Sequence, residues 1–137
     1  MAVEVDVVYK GNLFCEAVHG PSGKVLVTEA PTDNGGTGSE FSPTDLVGTA
    51  LGTCMLTIMG LIARREGVNI EGTRVRVVKE MVPAPERRIR SLDVTVTYPP
   101  DCRMTAEQRA SIEQAAALCP VTRSLHPDVQ VNLVFTQ

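Results

Sequence analysis

The feature that most constrains this fold is residues 46–63, a stretch that contains no charged side chain. Before it stand Ser42, Pro43 and Asp45, the pattern of a helix start: the serine caps the helix, the proline fits its first turn, and the acid bonds back to the cap. No strong helix breaker follows before Gly67, so we predict one helix of about six turns. Because this helix is apolar nearly all round, we expect it to be buried on every side.

The predicted helix, residues 43–65, would at about 1.5 Å per residue barely span a bilayer. Its threonines and glycines lower its hydropathy, so we interpret it as a central core helix and expect no membrane partner. A chain of 137 residues can hardly surround such a helix alone, and a second subunit would complete its burial. Gly48 and Gly52 favour a close backbone approach, either to that subunit or to a strand of the same chain.

Composition indicates a globular protein with a single domain, residues 1–137, since 43% hydrophobic and 21% charged residues are ordinary values for such a chain. A net charge of −3 and 4% aromatic residues supply neither the basic surface nor the stacking rings that nucleic-acid binding needs. The N-terminal residues 1–10 alternate polar and apolar without a basic segment followed by an apolar core. We therefore predict no signal peptide and a cytoplasmic location.

The other elements predict an α+β fold, because strand-like alternation flanks the long helix on both sides. Thr105 with Gln108 forms a second capping box, and Pro120 opens a further short helix. The predicted strands are residues 3–18 with a bend at Gly11, then 24–29, 68–81, 89–98 and 129–136, and the further helices are residues 105–118 and 120–124.

Four cysteines are present, and their spacing matches no zinc pattern, so we expect no metal site. Cys54 lies inside the long helix, where a cysteine is by default a small buried apolar residue. Cys119 precedes Pro120 and would cap a helix whose free N–H groups stabilise a thiolate. Cys15 in a strand and Cys102 near a loop are expected to be packing thiols.

Two segments carry a family resemblance. Ser-Pro-Thr-Asp-Leu at residues 42–46 leads into Ala-Leu-Gly-Thr-Cys at residues 50–54, and residues 117–125 read Ala-Leu-Cys-Pro-Val-Thr-Arg-Ser-Leu. Together they resemble the OsmC/Ohr family of thiol peroxidases, and the order of elements matches over nearly the whole chain. The resemblance implies antiparallel sheets packed around a long central helix in an intertwined homodimer.

The resemblance also implies a reaction. In that family the cysteine of the long helix, here Cys54, attacks a hydroperoxide and becomes a sulfenic acid. The Cys-Pro cysteine, here Cys119, then forms a disulfide with it, and a dithiol such as a lipoyl group reduces the pair, with no other cofactor. Met55 and Met59 beside Cys54 are expected in the core, and an apolar floor would favour organic hydroperoxides over hydrogen peroxide.

The sequence departs from the family pattern at the residues that assist the thiol. In the family an arginine, held by an acid directly after the helix-opening proline, stabilises the leaving oxygen. Thr44 stands in place of that acid, and residues 25–63 contain no Lys or Arg. Lys24, Glu40 and Asp45 are possible substitutes, although each is otherwise a solvated surface charge.

These departures leave other functions open. The chain is interpreted first as a peroxidase, and alternatively as a non-catalytic OsmC-fold dimer that acts as a redox sensor or binds an apolar ligand. In a third interpretation the cysteines are purely structural. His19 and His126 are both expected in turns, not as bases for a cysteine nucleophile.

Overall fold

The computed structural model describes residues Met1–Gln137, which divide into two compact units, Met1–Val47 and Gly48–Gln137. Each unit is described by itself below. The prediction of a single domain over residues 1–137 stays a prediction.

The first unit contains a three-stranded antiparallel sheet in the order β1, β2, β3, whose strands are Val5–Gly11, Phe14–His19 and Val25–Glu29. The sequence predicted one bent strand over residues 3–18, and this was wrong because the chain reverses fully at its middle. Gly11, Asn12 and Leu13 all have positive φ, at 89°, 54° and 69°, so the backbone turns instead of bulging. Tyr9 then pairs with Cys15 across the hairpin.

The glycine-rich loop after β3 is ordered around one carboxylate. Glu29, only 1% exposed, accepts hydrogen bonds from the backbone N–H groups of Thr37 and Ser39 at 2.9 and 3.1 Å. The hydroxyl groups of the same two residues lie 2.7 and 3.2 Å from its oxygens. Gly36 packs so closely on the carbonyl of Ala30 that no Cβ would fit. The loop is therefore a compact structure closed by a buried anion.

The sheet of the first unit leaves much apolar surface uncovered within this chain. The side chains of β1 are exposed on both faces of the sheet, and the first residues of β3 are exposed as well. The large apolar residues of these two strands that are more than 40% exposed are Val5, Val7, Val8, Tyr9, Val25 and Leu26.

The long helix α1 spans Pro43–Glu66 and begins as predicted. The Ser42 N–H donates to Asp45 Oδ2 at 2.9 Å, and the Asp45 N–H donates to Ser42 Oγ at 3.1 Å, so both bonds of the capping box form. Gly67 follows the helix with φ of 71°, a left-handed conformation that suits glycine. The cap and stop signals were therefore correctly read from the sequence.

Burial of α1 differs from the expectation. One face is buried and the opposite face is exposed within this chain, because the sheet of the second unit covers only one side of the helix. The buried residues are Gly48, Leu51, Gly52, Met55, Met59 and Ala63, whereas Thr49, Ala50, Thr53, Thr57 and Leu61 are exposed. By length and composition alone α1 would also be able to cross a membrane.

The second unit contains a mixed sheet in the order β4, β5, β6, formed by Arg74–Met81, Ile89–Thr97 and Gln130–Thr136. β4 and β5 are antiparallel, and β6 lies parallel to β5. The predicted strand over residues 68–81 begins late, because Gly72 adopts a positive φ of 92° and the chain turns there. The overall class is α+β, as predicted.

The glycines of α1 pack on β4 of the same chain. A Cβ built on Gly52 would lie 3.1 Å from Val77 and 3.2 Å from Val75, and one on Gly48 would lie 3.5 Å from Val77. Of the two alternatives left open by the sequence, the structure shows the close approach to a strand. Residues with higher numbers in β4 lie nearer to the start of α1, because Val77 contacts Gly48 whereas Val75 contacts only Gly52.

Two short helices separate β5 from β6. Helix α2, Ala106–Ala117, starts with the predicted capping box of Thr105 and Gln108, whose two hydrogen bonds measure 2.8 and 3.1 Å. Helix α3, Pro120–Ser124, follows at once and has Cys119 as its N-cap. This sharp junction carries the second thiol of interest.

Candidate active site

Two cysteine side chains meet in the second unit. Cys54 lies in the middle of α1 and is half-buried, whereas Cys119, at the start of α3, is 0% exposed. Their side chains lie close enough for Cys119 to influence the pKa of the Cys54 thiol. Both are free thiols in this structure. Of the two residues, only Cys54 is partly exposed in this chain.

The position of Cys119 follows from local sequence. Cys119 is extended, with φ −63° and ψ 151°, and Pro120 starts the helix with its ring in the first turn. The free Thr122 N–H of that turn donates to Cys119 Sγ at 3.4 Å. The Thr122 hydroxyl also lies 3.2 Å from the same sulfur. The predicted capping role of Cys119 is confirmed.

The pKa of the Cys54 thiol is raised above its ordinary value. Burial is the largest cause, because it removes water from the thiolate. A hydrogen bond from the Val121 N–H lowers the pKa in part, and the neighbouring Cys119 raises it again through its hydrogen bond and its charge. In this chain one hydrogen-bond donor therefore lowers the pKa of Cys54, whereas burial and Cys119 both raise it.

The first turn of α3 thus serves both sulfurs. The Thr122 N–H donates to Cys119, and the N–H of the preceding residue, Val121, lowers the pKa of Cys54. Such an arrangement holds two thiols side by side, and two thiols in contact can form a disulfide when one is oxidised. The sequence pointed to both cysteines, but it gave no signal for Val121, whose backbone alone contributes.

The three auxiliary residues proposed from the sequence, Lys24, Glu40 and Asp45, all lie in the first unit. Lys24 is exposed in the turn between β2 and β3, where its carbonyl accepts from the His19 N–H at 2.8 Å. Glu40 is exposed after the glycine-rich loop, and the Asp45 carboxylate caps α1. Their assistance to Cys54 stays a prediction.

Two cations of the second unit escaped the sequence analysis. Lys79 is half-buried and shares the inner face of β4 with Val77, but that end of the strand lies toward the start of α1 and away from Cys54. Arg123 is exposed on α3, one turn after Cys119, whose carbonyl accepts from the Arg123 N–H at 3.2 Å. Of these two cations, Arg123 is nearer in sequence to a member of the thiol pair, because it follows Cys119 by four residues.

The remaining cysteines and histidines have local partners or packing positions. Cys102 is buried and directs its thiol to the Asn69 carbonyl at 3.7 Å, whereas Cys15 is half-buried in β2. His19 Nδ1 contacts Ser22 Oγ at 2.6 Å, and His126 Nδ1 accepts from the Asp128 N–H at 3.0 Å. His19 is the last residue of β2, where the turn to β3 begins, and His126 lies in the connection between α3 and β6.

Comparison with known proteins gives the same family as the sequence motifs. A family model described as OsmC-like protein matches residues 36–134. A solved structure from Psychrobacter arcticus, assigned to the osmotic stress and detoxification response, is 37% identical with a TM-score of 0.88, and the match covers 96% of this chain and 93% of that chain. No curated protein matches the sequence.

More distant solved structures share the fold. The organic hydroperoxide resistance protein OsmC of Legionella pneumophila is 14% identical, with a TM-score of 0.76 over 100% of this chain and 98% of that chain. The organic hydroperoxide resistance protein OhrB of Bacillus subtilis is 12% identical, with a TM-score of 0.66 over 98% of each chain. Because the family model covers more than half of the chain and the Psychrobacter protein nearly all of it, this protein belongs to the OsmC/Ohr family.

Proposed function

We propose that this protein is a thiol-dependent peroxidase that reduces organic hydroperoxides, with Cys54 as the attacking thiol and Cys119 as the resolving thiol. The observation that carries the proposal is the proximity of the two thiols at the first turn of α3, where Cys119 influences the pKa of Cys54 and the Thr122 N–H donates to Cys119. Cys54 takes the first role because its side chain is half-buried, whereas Cys119 is fully buried and cannot meet a peroxide from solvent.

The oxidation steps of the proposed reaction need only the peroxide and the two thiols, and a reductant takes part only when the disulfide is reduced. The Cys54 thiolate attacks one peroxide oxygen, the O–O bond breaks, and the departing alkoxide takes a proton to leave as an alcohol. Cys54 becomes a sulfenic acid, which condenses with the Cys119 thiol to give a disulfide and water. A dithiol, with lipoyl groups as our first choice, then exchanges with the disulfide and restores both thiols.

The substrate class rests on relatives and on the surroundings of Cys54. Two structural neighbours are named organic hydroperoxide resistance proteins. Met55 and Met59 are both 0% exposed and belong to the core, so the apolar side chains of α1 that a substrate can meet in this chain are those of Ala50 and Leu61, one and two turns from Cys54. An apolar surface favours a peroxide with a hydrocarbon group over hydrogen peroxide.

A homodimer is part of the proposal. The exposed face of α1 carries Ala50, Thr53, Thr57 and Leu61, small or apolar groups that a soluble protein rarely leaves open together. The uncovered strands β1 and β3 supply a second apolar surface. A second copy would bury both, and we expect sedimentation equilibrium to give twice the chain mass of 14.7 kDa. We place this dimer in the cytoplasm.

A second function is favoured by one observation, the raised pKa of Cys54. Only the thiolate attacks a peroxide, so a raised pKa lowers the reactive fraction at neutral pH. A non-catalytic dimer that acts as a slow redox sensor, or binds an apolar ligand, would need no fast thiolate. Thr44 in place of the family acid agrees with this alternative.

The test is oxidation of the reduced protein by cumene hydroperoxide and by hydrogen peroxide in stopped flow, with mass spectrometry of the products. The variants are wild type, Cys54→Ser and, as a matched control, Cys15→Ser, which removes another half-buried thiol. A peroxidase predicts a Cys54–Cys119 disulfide that is absent only in Cys54→Ser, faster reaction with cumene hydroperoxide, and turnover with dihydrolipoamide. Oxidation without turnover supports the sensor, and thiols that stay reduced for minutes contradict both.

A further inference from the structure

We infer that Thr122 is a positioning residue for the resolving step, acting through Cys119. This inference rests on the proposed function, since it concerns how Cys119 reaches oxidised Cys54. The Thr122 hydroxyl lies 3.2 Å from Cys119 Sγ, and the Thr122 backbone N–H donates to the same sulfur at 3.4 Å. One residue therefore contacts the resolving sulfur with its side chain and with its backbone.

The backbone contact and the hydroxyl contact have different consequences. The N–H of Thr122 belongs to the first turn of α3 and would be present whatever residue stood there. The hydroxyl is specific to threonine or serine, and it is both a donor and an acceptor. It can accept from the Cys119 S–H in the resting state and, after rotating, donate to the Cys119 thiolate.

Such a group is needed because Cys119 is 0% exposed. Water cannot solvate the thiolate that forms when Cys119 attacks, and an unsolvated buried anion is costly. A hydroxyl at hydrogen-bond distance replaces part of that solvation without entering the reaction. It also limits rotation of the Cys119 side chain, so that the sulfur stays on the side of Cys54.

The step itself leaves Thr122 unchanged. The Cys119 sulfur attacks the sulfur of the Cys54 sulfenic acid, the S–S bond forms, and the S–O bond breaks. The proton of the Cys119 thiol leaves with the expelled hydroxide as water. Cys54 sulfur is reduced and Cys119 sulfur is oxidised, so no outside oxidant takes part.

The experiment uses Thr122→Val and Thr122→Ser in the full-length protein. Valine keeps the branched shape and the backbone N–H but removes the hydroxyl, whereas serine keeps the hydroxyl. Reduced protein is mixed with one equivalent of cumene hydroperoxide, and the Cys54 sulfenic acid, trapped with dimedone, and the disulfide are followed separately by mass spectrometry. We expect Thr122→Val to slow disulfide formation about tenfold, with a larger trapped fraction, and Thr122→Ser to restore the rate to within about twofold.

A second measurement separates this inference from the proposed function. An aromatic disulfide that releases a coloured thiolate converts Cys54 into a mixed disulfide, and attack by Cys119 then releases a second coloured thiolate without any peroxide. We expect the same order of rates, with Thr122→Val slowest. If peroxide fails to react but this order holds, the peroxidase proposal fails and the role of Thr122 stands. Equal rates in Thr122→Val and wild type, or equal slowing in the valine and serine variants, would overturn the role of Thr122.

Discussion

Glu29 and Cys54 are two side chains that can carry a negative charge away from bulk water, and their pKa values shift in opposite directions. Glu29 accepts from two backbone N–H groups and lies within 2.7 to 3.2 Å of two hydroxyls. The first of these bonds, from the Thr37 N–H, is the largest cause of its lowered pKa, and it outweighs burial. At Cys54 burial is the largest effect, and the pKa rises.

The difference shows that the number of donors decides the outcome, because both groups are removed from water. The glycine-rich loop brings four donors to one carboxylate. The turn of α3 gives Cys54 a single N–H, and its other donors contact Cys119 instead. Hydrogen bonds from the protein therefore replace water around the Glu29 carboxylate, but they replace it only in part around the Cys54 thiolate. In the proposed peroxidase, further stabilisation must come from the substrate complex or the second subunit.

The largest effect that tests this comparison is the pH dependence of the Cys54 reaction. With a raised pKa, the thiolate fraction grows about tenfold per pH unit throughout the neutral range, so alkylation of Cys54 should accelerate roughly 100-fold from about pH 6 to pH 8. The rate is measured with iodoacetamide and peptide mapping, which separates Cys54 from Cys15. The urea-unfolded chain is the control, and native Cys54 should react more slowly than unfolded Cys54 at pH 8. A plateau below pH 8 would show that the thiolate is already formed and that the comparison is wrong.

The sequence was sufficient for features whose cause is local. The capping pair Ser42 and Asp45, the stop at Gly67 and the cap at Cys119 each depend on a few neighbouring residues, so residue type alone predicts them. At Gly11 the sequence predicted a bend and not the full reversal, although Gly11-Asn12 is itself a hairpin signal; only the positive φ of Leu13 has no residue signal.

Features that depend on distant contacts needed the structure. Two of the four donors to Glu29 are backbone groups, as is the Val121 N–H near Cys54, and every residue except proline has such a group, so composition gives no sign of their use. The face of α1 that is buried depends on where β4 lies, and the one sign of it in the sequence is the stripe of Thr49, Thr53 and Thr57 on the exposed face. The thiol pair itself was named through family resemblance, since its two members are far apart in sequence.

A second prediction tests whether the negative charge of Glu29 stabilises the fold. Glu29→Gln removes the negative charge and turns an NH₂ group toward donors, so we expect a lower unfolding midpoint in urea at pH 7 and a melting temperature lower by several degrees. The stabilisation by a carboxyl with a lowered pKa is present above the ordinary value of 4.5 and is lost as the pH falls through the folded-state pKa. The gap between wild type and variant should therefore narrow below pH 4.5. Glu4→Gln, an exposed carboxylate of the same unit, is the control, and a gap independent of pH would contradict the assigned charge.

A third prediction concerns the packing on β4 of α1, the helix that carries Cys54. Gly52→Ala places a Cβ at 3.1 and 3.2 Å from two valines of β4, whose branched side chains adjust little. Gly48→Ala meets Val77 only at 3.5 Å, an ordinary contact, and gains helix propensity. We expect Gly52→Ala to be less stable than Gly48→Ala by about 1 to 3 kcal/mol in urea unfolding. Equal stabilities would show that α1 is not packed tightly on β4 at Gly52.

The smallest expected effect isolates the influence of Cys119 on Cys54. Cys119 raises the pKa of Cys54 through its hydrogen bond and its charge. Cys119→Ser leaves a hydroxyl that stays neutral and can donate to the Cys54 thiolate, so the pKa of Cys54 should fall. We expect Cys54 alkylation at pH 7 to become roughly two- to fivefold faster than in wild type.

The matched control is Cys102→Ser, which changes a buried thiol that bonds to the Asn69 carbonyl instead of Cys54. Its Cys54 alkylation rate should equal that of wild type, so a gain seen only in Cys119→Ser reports the pair and not a general loosening of the fold. A slower reaction in Cys119→Ser would mean that Cys119 stabilises the Cys54 thiolate. Cys54 would then resemble Glu29, with its neighbours acting as donors, and the contrast between the two sites would disappear.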